Sequence, residues 1–187
     1  MSEPRMPHER MPHERIPHER ILDERIPEEC IPDPRILGPG LAPTPFTADE
    51  IRAGCPDGHW ALVRTERGGE TTFHRSGFEA GDAEGVTCTT TPTDASGHPT
   101  GPVTSRRATW AELQAHAAFQ ASSTTVASER IRLAFGERDC LRYDVAGDDG
   151  SDDGSGPATF WFALEHPGMP VRYVSPGFAA ETIAVAG

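Results

Sequence analysis

The sequence predicts an α+β fold that is mostly β: a curved antiparallel meander with one helix packed across it, behind a Pro-rich N-terminal tail. Three observations carry this reading. All 13 aromatic residues lie at or after Phe46, whereas 10 of the 18 prolines lie at or before Pro45, so only the downstream part can build a core. That part alternates apolar and polar residues with the two-residue rhythm of strands. Two capping boxes, Thr47-Ala48-Asp49-Glu50 and Thr109-Trp110-Ala111-Glu112, mark helix starts.

Residues 1–35 read as seven five-residue units, MSEPR, MPHER, MPHER, IPHER, ILDER, IPEEC and IPDPR. A period of five matches neither helix nor strand, and the recurring proline removes backbone donors. Residues 1–37 are therefore expected to be a disordered or polyproline-like tail. His8, His13 and His18 could chelate a metal only if that tail became ordered. A partner-recognition peptide is a second reading of the repeat, and expansion of a repeated DNA unit is the one favoured here. Met6 and Met11 also begin units, so translation could start downstream of Met1. Gly38–Pro45 (GPGLAPTP) reads as a linker. Residues 46–187 form the single expected domain.

Within it, the first capping box opens a short helix over 48–53, closed by Gly54 and Pro56. Strands are expected at 59–65, 70–78 and 86–91, with Gly68-Gly69 and Gly81–Gly85 as turns. Residues 92–102 form a polar loop. The second box opens the main helix over 109–118, where Trp110, Leu113 and Ala117 share a face. Further strands are expected at 130–135, 139–145, 159–164, 171–175 and 182–185. In 159–164, Phe160, Phe162 and Leu164 alternate with Trp161, so both faces of that strand carry bulk.

Net charge is −12, which disfavours nucleic acid and anionic membrane surfaces as partners. All 17 basic residues are Arg, and Lys and Asn are absent, a bias that suggests a GC-rich genome. No apolar run is long enough to span a membrane, and the N-terminus shows no apolar export segment, so a soluble cytoplasmic protein is expected. Cys30, Cys55, Cys88 and Cys140 lie far apart and would be reduced there.

The stretches RATWAELQAHAAF, RIRLAFGERDCLRYDV and TFWFALEHPGMPVRY resemble a group of uncharacterised actinobacterial proteins of unknown function. More distantly, their strand–turn–strand pattern is similar to the half-barrels of bacterial lipoprotein carriers. The resemblance spans about residues 105–175. It implies a half-barrel-like sheet and assigns no functional residue.

Chemical motifs are weak. Asp149-x-Ser151-x-Asp153-Gly154 matches the opening of a calcium loop, but the twelfth position is Phe160 instead of Glu. Cys55 and His59, with His98 or His116, have no second pair at zinc-ligand spacing. Ser76 follows His74 by two residues, which carries no triad geometry. Cys88 and Cys140 read as small hydrophobes, and His116 as a residue opposing a helix dipole. Neither a catalytic residue nor a cofactor is assigned. The expectation is a non-enzymatic domain that binds an apolar small molecule or a protein partner. Trp161 is the first candidate contact, with Phe160, Phe162, Trp60 and Trp110. The alternative is a metal-assisted hydrolase using His59, His116 or Cys55.

Overall fold

The computed structural model describes residues 33–147 and 156–186. The pentapeptide units up to residue 32, and the acidic loop 148–155 with its calcium-like pattern, lie outside the described residues.

The elements follow as α1 (Ala48–Gly54), β1 (Trp60–Arg67), β2 (Glu70–Glu79), β3 (Gly85–Thr93), β4 (Thr104–Thr109) and α2 (Trp110–Ala115). After a 3-10 turn at Ala121–Ser123 come β5 (Thr124–Leu133), β6 (Gly136–Val145), β7 (Ala158–Ala163), β8 (Arg172–Ser175) and β9 (Phe178–Ala186). The strands form one antiparallel sheet in the order β4-β3-β2-β1-β9-β8-β7-β6-β5. The chain thus runs outward from β1 to one edge, returns through α2, and runs inward from the other edge until β9 pairs with β1. The fold is mostly β, as the residue pattern implies.

Both capping boxes form. Thr47 and Thr109 each accept from the backbone N–H three residues on, and Glu50 and Glu112 each accept from the cap N–H. The main helix ends sooner than its apolar spacing suggests. Beyond Ala115, the N–H groups of Ala117 and Ala118 turn back to Gln114 and Ala115, which tightens the chain out of α geometry. Two strand segments carry no apolar alternation and were not expected. One is β4, TSRRAT, which exists through its pairing with β3. The other is the first half of β5, TTVASE, which pairs with β6.

Alternation gives the sheet two faces. On β6 and β7, Leu141, Tyr143, Phe160 and Phe162 point toward the helices and join the main core. Cys140, Trp161 and Ala163 point away and join a second cluster with Ile131, Leu133 and Val171. No helix covers that second cluster. It is buried because the sheet curls: the Arg172 guanidinium reaches the Arg132 carbonyl at 3.5 Å, across from β8 to β5.

The segment expected as a linker is packed on the domain. Thr44 is 1% exposed, and Ala42 and Phe46 are buried. The Tyr143 hydroxyl donates to the Pro43 carbonyl at 2.7 Å. The buried Gln114 amide donates to Pro34 O (2.9 Å) and Thr44 Oγ1 (3.0 Å), and accepts from Ala48 N at 2.9 Å. Proline content suggested a linker at 38–45 and a disordered tail up to residue 37, but the carbonyls of Pro43 and Pro34 are acceptors that buried side chains use, so the packed segment begins by Pro34. Cys55, Cys88 and Cys140 are free thiols. No helix among the described residues is long and apolar enough to cross a membrane.

Two predictions follow from this packing. Deletion through Pro45 is expected to lower the melting temperature by at least ~5 °C relative to deletion through Pro32, because it removes buried partners worth a few kcal/mol. Equal melting temperatures in calorimetry would place the boundary after Pro45. The second concerns acid. His59, His74 and His166 are held below their usual 6.5, first by burial; the charge of His166 adds to the effect on His59, and that of Arg138 to the effect on His166. As pH falls through 6.5 the unfolded chain therefore binds more protons than the fold, and stability declines. The urea midpoint is expected to drop between about pH 7 and pH 5, and less steeply in an H59Q/H166Q variant. A profile with the same slope in both proteins would contradict this assignment.

Candidate functional site

The helices do not fill the space above the sheet. Phe160 and Phe162 of β7 and Phe78 of β2 form the floor of a cleft, Ile51 of α1 and Leu113 of α2 form its roof, and Phe119 closes one end. The cavity measures about 110 Å³. A second cavity of about 180 Å³ adjoins it and shares Phe78, Leu113, His116 and Met169. Both are smaller than the ~300–1,000 Å³ that drug-sized ligands occupy. The space suits a short aliphatic group or a single ring.

The mouth is built by the turn after β7, His166-Pro167-Gly168-Met169-Pro170. This turn lies tight against the end of α1. A Cβ at Gly54 would meet the Pro167 ring at 2.7 Å, and one at Gly168 would sit 3.2 Å from Cys55 Sγ. Gly168 also adopts φ +127°, which disfavours any side chain there. The Cys55 thiol donates to the Pro167 carbonyl at 3.2 Å. Met169 is left 54% exposed at the junction of the two cavities. A flexible thioether in that position adapts to varied apolar shapes.

Aromatic rings continue from the cleft along the sheet. Phe119 lies 4.9 Å from Phe160, Phe160 stacks on Tyr173 at 4.6 Å, and Tyr173 meets Phe178 at 5.2 Å. Consecutive contacts of this kind stiffen the floor.

The structure divides the expected contact residues. Phe160 and Phe162 line the cleft. Trp161, the first candidate, is on the opposite face, flanked by the guanidinium groups of Arg142 and Arg172 at 6.0 and 5.9 Å. Its indole N–H donates to Glu129 at 3.0 Å. The two-residue period dictates this: a strand that turns Phe160 and Phe162 inward must turn Trp161 outward. Trp60 pairs across from Gly77, on the face away from Phe78, beneath Arg75. Trp110 is buried core, its N–H bonded to the Asp82 carbonyl at 2.9 Å. Leu113, Phe78 and Met169 were not singled out. Leu113 was marked only as part of the apolar face of the main helix, Phe78 only as the end of a strand, and Met169 only as part of a Pro-Gly turn.

Among the described residues no three His, Cys, Asp or Glu side chains converge on a common ion. Burial, reinforced by Cys88, pushes the Cys55 thiol up to about 12, which disfavours the thiolate that a ligand or nucleophile requires. His166 Nε2 is buried with no hydrogen-bond partner among the described residues, consistent with a neutral ring packed on Phe135.

No family model matches the chain. No curated protein matches it either. Among solved structures it is similar to a chain of the complex structure of Pseudomonas aeruginosa MucA/MucB, at 13% identity and a TM-score of 0.46. The match covers 73% of this chain and 53% of that one, so this chain spans about half the length of its structural neighbour.

Proposed function

We propose that the domain binds a small apolar molecule in the cleft between its two helices and the sheet, and performs no chemistry on it. The supporting observation is an unfilled cavity walled by Phe78, Leu113, Phe160 and Phe162 and opened by a half-exposed Met169. Native cores close such voids, because unfilled volume forfeits dispersion contacts.

None of the three tryptophans lines the cleft, so their fluorescence is a poor reporter. Calorimetric titration with toluene avoids the problem. Saturable one-to-one binding is expected. Leu113 is partly buried and forms the roof, so Leu113→Trp is expected to fill the cavity and weaken binding at least ~10-fold, about 1.4 kcal/mol. Val126→Trp on the exposed edge strand β5 is the control and is expected to bind like the parent. Equal affinity in a folded L113W protein would remove the cleft as the binding site.

A further inference from the structure

The two adjoining cavities differ in character along one direct line. Phe78 on β2 pairs with Cys88 on β3, and Cys88 pairs with Arg106 on β4. Directly opposed residues in an antiparallel sheet project from the same face. The row therefore begins at the apolar floor and ends at a guanidinium on the open edge of the sheet, since β4 is the terminal strand. Arg106 lines the second cavity together with Ser76, Thr90 and His116. Its neighbour Arg107 projects the other way, where it bonds the Ala80 carbonyl at 2.6 Å and the Asp82 carboxylate.

Arg106 has no carboxylate within ion-pair distance among the described residues. The Arg106 charge helps hold the nearby Glu112 carboxyl low, and one oxygen of that carboxylate is taken by the α2 cap. It accepts from Thr109 N at 2.7 Å and Thr109 Oγ1 at 2.9 Å. An exposed guanidinium with no ion-pair partner among the described residues thus stands beside an apolar hollow.

We propose that the ligand of the cleft is a short amphiphile bearing one carboxylate. The inference rests on the cleft reading above and adds the head group to it. The apolar part lies between Leu113 and the floor formed by Phe78 and Phe160. The carboxylate lies on Arg106 at the sheet edge, with the hydroxyls of Ser76 and Thr90 on the same cavity wall. Arg presents a planar fork that matches a carboxylate in two parallel hydrogen bonds. One guanidinium favours one anionic group, and a chain of net charge −12 repels ligands that carry more. The combined size of the cavities favours a medium-length aliphatic acid or a monocyclic one over a long-chain lipid.

Calorimetric titration of the full-length protein with octanoate and with octanamide separates head from tail. Octanoate is expected to bind at least ~10-fold more tightly than its neutral isostere. Arg106→Gln is expected to abolish that preference while leaving octanamide affinity unchanged. Arg132→Gln, an exposed Arg on the far edge strand, is expected to keep it. Equal binding of acid and amide by the parent protein would overturn the head-group assignment and leave the cleft standing. A preference that survives in R106Q would also overturn it. Binding of neither compound would overturn both readings.

Discussion

One buried amide holds the roof of this domain. The helices have seven and six residues, too short to persist in water without tertiary contacts. Gln114 joins them to the chain around it. Its oxygen accepts from the first turn of α1, and its nitrogen donates to Pro34 and Thr44 upstream. A buried amide with three partners is stable where it is and costly to move, because any displacement leaves polar atoms unpaired. The roof is therefore fixed by hydrogen bonds at its outer side and does not settle onto the sheet by hydrophobic contact alone. The cavity lies between Leu113 of this roof and the floor formed by Phe78 and Phe160.

The sheet supplies the complementary constraint. Pairing of β9 with β1 joins an outward-running half to an inward-running half, so that residues far apart in sequence share the cleft. Phe78 comes from the first half and Phe160 from the second. The far face solves its own burial problem by curling, with Ile131 and Leu133 of β5 packed together with Cys140, Ala163 and Val171. Trp161 belongs to that second core. Its two flanking Arg residues and its bond to Glu129 are fully accounted for by structure.

Local signals in the sequence were reliable where local physics decides. Both capping boxes form as their spacing requires, and the alternation in β6 and β7 separates the two faces correctly. Alternation cannot say which face meets the helices, and so it ranked Trp161 above Phe160. The edge strand β4 was invisible because its residues are polar and pair on one side only. By composition residues 33–37 looked like the end of a disordered tail and Gly38–Pro45 like a linker, yet their carbonyls serve as acceptors for Gln114 and Tyr143. The cleft itself was legible through Phe160 and Phe162 and through the apolar face of the main helix that carries Leu113 and Ala117. Its other walls depend on the β1–β9 closure, a contact between the two ends of the domain that no local pattern announces.

The account turns on whether a ligand occupies the space beneath α2. The chain has four methionines, and Met169 alone lies among the described residues, at the junction of the two cavities. Labelling the methionine methyl groups therefore yields a sparse spectrum with one reporter at the site. Intermolecular Overhauser contacts from the tail of octanoate to the Met169 methyl are the predicted result. Contacts confined to other surfaces, with the Met169 signal unmoved at saturation, would contradict it.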